Sequence, residues 1–183
     1  MDFVEHDFRL LTKAVQGNEA AFRELYDRTH AKIYFYLYRF LGDPGKTEDV
    51  LMETYTEVWR NGRKFRGASR VTTWMIAIAR NLAINELNRW KAHDDIDDHG
   101  ELTNGQTADP DCWDRQRVVR EAMDGLSGKH REVLDLVFYH EMDYKEVAEV
   151  LQVPVNTVKT RVFYAKEAMK EILREKGVQA DDL

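Results

Sequence analysis

Residues 144–170 read YKEVAEVLQVPVNTVKTRVFYAKEAMK, and the fold follows outward from them. Asp143, with Glu146 three residues later, is a capping-box start for a short helix from Tyr144 to Leu151. Gln152-Val153-Pro154 is a tight turn, and a second helix runs from Val155 to about Lys176, where Gly177 ends it. Ala148 puts a small side chain where two helices must cross closely. Val147, Leu151, Val153, Val158 and Val162 form one inner seam. The opposite face of the second helix offers Asn156, Thr157, Lys159, Thr160, Arg161, Phe163, Tyr164 and Lys166, side chains of the kinds that read base edges and hold phosphates. From Val155 to Lys170 the local net charge is +3, with Lys159, Arg161, Lys166 and Lys170 set against Glu167. The pattern is that of a helix-turn-helix; the plainer alternative is an ordinary helical hairpin.

Upstream of it, Ser127 caps a helix expected over Gly128–His140, and Trp113–Met123 forms another that Gly125 ends. Between these helices and the N-terminal half the composition changes. Residues 92–114 carry Asp94, Asp95, Asp97, Asp98, Glu101, Asp109, Asp111 and Asp114, with no Lys or Arg and few apolar side chains. Such a stretch cannot bury enough surface to order itself, so it reads as an acidic flexible linker. Asp95, Asp97, His99 and Gly100 loosely echo a calcium loop, but His99 stands where an oxygen ligand belongs and Gln106 replaces the closing Glu, so no metal is expected.

The N-terminal half reads as four helices: Asp7–Gln16, Glu19–Leu41 capped by Asn18, about Thr47–Gly62, and about Val71–Ala92. The second has Phe22, Leu25, Tyr26, Ile33, Leu37, Phe40 and Leu41 at helical spacing. The third turns Val50, Leu51, Thr54, Tyr55, Val58 and Trp59 inward. Its other face shows Glu48, Asp49, Glu53 and Glu57, an acidic ridge that is either solvated or a partner surface. The fourth helix and the loop before it are basic. Arg60, Arg63, Lys64, Arg66, Arg70, Arg80, Arg89 and Lys91 face the single acid Glu86, a local +7 in a chain whose formal net charge is −6. Phosphate backbones are the natural partner of such a stretch. Loop 65–70, FRGASR, mixes a ring, guanidinium groups and a flexible Gly, which suits holding unstacked bases against a strand. The competing reading makes Phe65, Trp74 and Ile78 plain core and the charges a solvated face.

The bulk numbers exclude several classes. The 183 residues leave room for one domain or two small ones, 33% of them are charged, and only three are proline. Alternating β-branched runs of useful length are absent, so the fold class expected is all-α. One cysteine, Cys112, precludes an internal disulfide and any CxxC site; it reads as an incidental residue, with a redox-sensing thiol as the alternative. The longest apolar run, Trp74–Ala79, is far too short to span a bilayer, and the start MDFVEHDFRL lacks the pattern of a signal peptide, so a cytoplasmic location without membrane insertion is expected. An enzyme using His93, Asp94, Asp95, Asp97, Asp98 and His99 with a metal would hold its groups on a segment with no packing to position them. No Gly-rich phosphate loop, HExxH or Ser/His/Asp pattern appears, and neither catalysis nor a cofactor is expected.

Two nucleic-acid-binding modules joined by an acidic tether resemble the extracytoplasmic-function (ECF) sigma factors of the bacterial sigma-70 family. The resemblance is carried by AFRELYDRTH (21–30), TEDVLMETYTEVWR (47–60), KFRG (64–67) with TTWMIAIARNLAINELNR (72–89), and the stretch 126–169 from LSGKHREVL to YAKEAM. It implies sigma region 2 over 1–91, a linker over 92–114 that threads the polymerase RNA-exit path, and sigma region 4 over 115–183. It also implies docking of Asp49, Met52 and Glu53 on the beta-prime clamp helices of core RNA polymerase, with the beta flap as a second polymerase contact. Phe65, Arg66, Ser69, Arg70 and Trp74 would belong to the loop and pocket that capture a base flipped from the −10 element. Asn81 would hydrogen-bond that base, and Arg80, Asn85 and Arg89 would hold strand phosphates or the duplex edge. In region 4, Asn156, Thr157, Lys159, Thr160, Phe163 and Tyr164 match the face that reads the −35 duplex, while Arg161 and Lys166 match phosphate contacts. An anti-sigma factor that masks the polymerase-binding faces is a further implied partner. Met52 stands where relatives often have Gln, and Val71 and Thr72 where many have an aromatic and an Arg or Tyr. The rival reading is a stand-alone helix-turn-helix regulator that binds DNA without polymerase.

Overall fold

The computed structural model describes residues 3–93 and 113–177, which form helices joined by short loops and contain no strand. The acidic stretch, its calcium-loop-like residues and Cys112 lie outside the described residues. The chain divides into two units, Met1–Gly105 and Gln106–Leu183. No helix among the described residues is long and apolar enough to cross a membrane.

The first unit is four helices: α1 (Phe3–Ala14), α2 (Glu19–Leu41), α3 (Pro44–Asn61) and α4 (Val71–His93). Helix α2 is its axis and packs against the other three. Leu25, Ile33, Tyr36 and Leu37 of α2 meet Val50, Leu51, Tyr55 and Val58 of α3, and Val71, Met75, Ile76, Ala79 and Ala83 of α4; all are buried. Ala79 and Ala83 continue the i, i+4 line begun by Val71 and Met75, and their small side chains let α4 lie close to its neighbours. Local chemistry sets the ends. The Asn18 side chain accepts from the Ala21 amide at 2.9 Å, and Gly42 closes α2 in the left-handed region at φ 70°. Helix α3 starts three residues earlier than its hydrophobic stripe suggests. Asp43 accepts from the Lys46 amide at 2.8 Å, and Pro44 occupies the first turn, where its missing N–H costs nothing.

The second unit contains α5 (Trp113–Asp124), α6 (Gly128–Leu134), α7 (Tyr144–Leu151) and α8 (Val155–Glu175), with α8 packed against the other three. Arg131 fastens α5 to α6. Its guanidinium donates to the carbonyls of Met123 at 3.0 Å and Asp124 at 2.6 Å, which the end of α5 leaves without helical partners. The expected helix Gly128–His140 forms, but it changes from α to π geometry partway along. Residues Asp135–Tyr139 widen into a π turn, closed by the His140 amide donating to the Asp135 carbonyl at 3.2 Å. This turn brings the buried Asp135 and His140 side chains to 3.5 Å of each other, a pairing between side chains that the apolar periodicity does not report.

Candidate nucleic-acid interface

In the first unit the interface begins where α3 ends. A single 3-10 turn, Gly62–Lys64, leads into the loop, and the Trp74 amide donating to the Arg70 carbonyl at 3.1 Å starts α4. Gly67 sits at φ 72°, a left-handed conformation that glycine adopts without strain. Phe65 is half-buried, its ring centroid 5.1 Å from Trp74 and 5.8 Å from Phe8 of α1. Of the other loop residues, Arg66, Gly67 and Ala68 are exposed, while Ser69 and Arg70 are half-buried. Along α4 the positions Trp74, Ile78, Asn81, Asn85 and Arg89 recur at helical spacing and share a face about 22 Å long. Asn81, Asn85 and Arg89 are exposed, and Arg80 is half-buried beside them. Arg89 is paired with Glu86 at 3.2 Å, a surface contact weak enough to exchange for a phosphate. The aromatic pair Phe65–Trp74 thus stands at one end of an amide- and guanidinium-bearing stripe. Arg63, counted with the basic stretch, has a structural task instead: its Nε and Nη2 both donate to the Val15 carbonyl, at 3.2 Å each.

On α3, Asp49, Met52 and Glu53 are all exposed. Met52 is 62% exposed and belongs to a groove of about 870 Å³ between α2 and α3, whose apolar walls are Phe22, Tyr26, Met52, Tyr55 and Trp59. Trp59 was expected inside; it is 42% exposed and lies edge-on to Phe22 at 5.1 Å. Its place at the margin of the α3 stripe let it follow Phe22 outward. Sequence reasoning missed this groove. The usable signal was an excess of aromatic side chains, Phe22 and Tyr26 at i, i+4 on α2 and Tyr55 and Trp59 at i, i+4 on α3, more than one seam can bury. Beneath it, the Thr29 hydroxyl donates to the Leu25 carbonyl at 2.7 Å, so the Tyr55 hydroxyl, 2.6 Å away, donates to Thr29. Burial pushes the Tyr55 pKa far above the ordinary tyrosine range.

In the second unit the helix-turn-helix forms as its sequence suggests. Asp143 accepts from the Lys145 and Glu146 amides at 2.7 and 2.9 Å, and Glu146 returns the bond to the Asp143 amide at 3.1 Å. Gln152 turns the chain at φ 54°, where a side chain costs about 1 kcal/mol. Val158, Val162 and Ala165 bury one side of α8. Asn156, Lys159, Thr160, Phe163, Tyr164 and Lys166 are exposed, and Thr157 and Arg161 are half-buried. The Thr160 hydroxyl donates to the Asn156 carbonyl at 3.0 Å, while Phe163 and Tyr164 meet edge-on at 5.4 Å. Phe138 is 57% exposed at the π turn, with the Lys166 ammonium 5.2 Å from its ring centroid.

Comparison with known proteins places both units. Residues 25–92 match the family model of sigma-70 region 2, and residues 116–169 match that of sigma-70 region 4. The chain is 30% identical over 173 residues to the ECF RNA polymerase sigma factor SigW of Bacillus subtilis, covering 87% of this chain and 92% of that one. It is 28% identical over 171 residues to the ECF RNA polymerase sigma factor SigK of Mycobacterium tuberculosis, covering 90% and 91%. Two solved structures share the fold: the sigma factor RpoE of Bartonella quintana in complex with the anti-sigma factor NepR, and CnrH in complex with the cytosolic domain of CnrY. Each gives a TM-score of 0.67, at 19% identity over 84% of this chain and 96% of that one, and at 20% over 93% and 98%, respectively. By both family models and by its relatives along nearly its whole length, the chain belongs to the sigma-70 family, as an ECF sigma factor.

Proposed function

We propose that this chain binds core RNA polymerase in the cytoplasm and directs initiation at promoters whose −35 duplex it reads with α8 and whose −10 strand it traps with loop 65–70. The observation that carries this reading is the half-buried Phe65–Trp74 pair at the end of the stripe Asn81, Asn85 and Arg89, on a unit that matches sigma-70 region 2. A ring pair held by packing offers an extruded base an apolar surface, with amide groups beside it to select that base. Extrusion costs a few kcal/mol of unstacking, which capture must offset. Ser69, Arg66 and Arg70 line the loop, and Arg80, Asn85 and Arg89 take phosphates. On α8, Asn156, Thr157, Lys159, Thr160, Phe163 and Tyr164 face the major groove, with Arg161 and Lys166 on the backbone.

Asp49, Met52 and Glu53 dock on the beta-prime clamp helices, and the second unit meets the beta flap. No covalent chemistry is assigned to the protein. The domain division 1–91, 92–114 and 115–183 gives each reading surface its own unit. An anti-sigma factor is the natural regulator, covering the surfaces that polymerase uses. With a formal net charge of −6, the free chain binds DNA weakly, and polymerase raises the effective concentration of one reading unit once the other has bound.

The rival, a stand-alone regulator, leaves the first unit's loop and acidic ridge without a task. A gel shift on a pool of promoter fragments separates the two. Specific complexes that form only when core polymerase is added support the sigma reading, and equally tight specific complexes without polymerase overturn it.

A further inference from the structure

Helix α1 and the turn after it are seated on loop 62–70 by contacts from Phe8 and Leu11 of the helix and Val15 of the turn, spaced i, i+3, i+7. Arg63 clasps the Val15 carbonyl. Gly62 lies so close beneath α1 that a Cβ there would stand 2.5 Å from Val15 Cγ1 and 3.0 Å from Leu11 Cδ1. Phe8 sets its ring 5.8 Å from Phe65, tilted at 57°, and its edge 3.7 Å from the place a Cβ on Gly67 would take. The other side of α1 is fastened to α2, with His6 to Glu24 at 2.8 Å and Asp7 to Arg28 at 2.7 Å. Phe8 itself is 39% exposed and outside the buried set Leu10, Leu11 and Ala14.

We infer that Phe8 is a positioning residue for promoter-strand capture: it holds the Phe65 ring and the Gly67 turn in the arrangement that receives the unstacked base. This rests on the role proposed above for the loop. Among the described residues, Phe65 has two ring neighbours, Trp74 from the helix that follows and Phe8 from a helix more than fifty residues earlier. Without the Phe8 ring, one wall of the loop is gone, and part of the binding free energy goes into ordering Phe65. An aromatic contact of this kind corresponds to roughly threefold to tenfold in affinity.

The test uses holoenzyme assembled from core polymerase and the full chain, with a promoter fragment whose non-template strand is single-stranded across the −10 region. Phe8→Leu keeps the helix and an apolar side chain but removes the ring; Phe8→Tyr keeps the ring. Phe8→Leu is expected to weaken capture roughly threefold to tenfold, Phe8→Tyr to restore it to within about twofold, and Phe8→Leu to add nothing once Phe65 is already Ala. Affinity for core polymerase, measured by competition, should stay the same. The inference is overturned if Phe8→Leu leaves capture unchanged, if Phe8→Tyr is as weak as Phe8→Leu, or if the Phe8 and Phe65 losses simply add. If Phe65→Ala alone leaves capture unchanged, the loop reading falls, and the role of Phe8 with it.

Discussion

Replacing Gly62 with alanine adds one methyl group where α1 crosses the turn into the loop, and two opposing effects can be weighed there. The backbone at Gly62 has φ −58° and ψ −26°, an ordinary right-handed conformation, so alanine meets no torsional penalty. By restricting the unfolded chain it would stabilise the fold by about 0.4–1 kcal/mol. The new Cβ, however, would stand 2.5 Å from Val15 Cγ1 and 3.0 Å from Leu11 Cδ1, inside contact distance, and Leu11 is buried. Overpacking of that kind costs about 1–3 kcal/mol. The steric effect wins, and the net destabilisation is about 1–2 kcal/mol, confined to the first unit. For a unit of that size it lowers the unfolding midpoint by roughly 5–15 °C. Thermal unfolding of the intact chain followed by tryptophan fluorescence reads it, because Trp59, Trp74 and Trp90 all lie in the first unit. Val15→Ala in the same chain removes the nearest atom and should recover part of the loss. A midpoint that is unchanged or higher for Gly62→Ala would refute the seating of α1 on the turn. A loss that Val15→Ala does not relieve would refute the clash as its cause.

Tyr55→Phe removes the donor to Thr29 while leaving the Thr29 bond to Leu25 intact, and should lower the stability of the first unit by about 1 kcal/mol in urea titrations. Because burial raises the Tyr55 pKa, that residue's contribution is complete below the ordinary tyrosine value of 10.0 and is lost as pH rises above it; Tyr55→Phe should flatten this alkaline fall. Asp143→Ala removes the acceptor of the Lys145 and Glu146 amides while leaving the backbone amide of residue 143 to donate to Glu146, and should destabilise the second unit by about 1 kcal/mol, read as faster amide exchange at Lys145 and Glu146. Lys166→Ala should weaken holoenzyme binding to all promoters alike and reduce the logarithmic salt dependence by about one, whereas Asn156→Ala should change which −35 sequence is preferred.

How far the chain could be read from sequence depended on whether the deciding contact was local. The bounds of α2 and α7 follow from Asn18, Gly42 and the Asp143–Glu146 box because capping is settled within four residues. The start of α3 is less legible, since a proline that breaks one helix is equally suited to open the next; here Pro44 opens α3, with the Asp43 side chain as its cap. The apolar pattern does not report the π turn at Asp135–Tyr139, nor the buried Asp135 and His140 side chains that it sets 3.5 Å apart. Trp59 was placed in the interior by its position in the apolar stripe of α3, yet it is 42% exposed. Periodicity says which side of a helix is apolar, but not where the neighbouring helix stops covering it. The residues of loop 65–70 and α8 proposed to read DNA could be named from a resemblance. The contact of Phe65 with Phe8 could not, since it joins residues that only the packing of α1 brings together.

The central claim is that this chain gives core polymerase its promoter choice through loop 65–70 and the α3 docking face. Run-off transcription on a pool of promoter fragments, with bacterial core polymerase alone and with the chain added, tests it most directly. The account predicts defined transcripts only with the chain present, lost for Asp49→Arg through failure to bind polymerase and for Phe65→Ala through failure to open DNA. Transcripts that are unchanged by both substitutions, or specific DNA binding without any polymerase-dependent initiation, would contradict it.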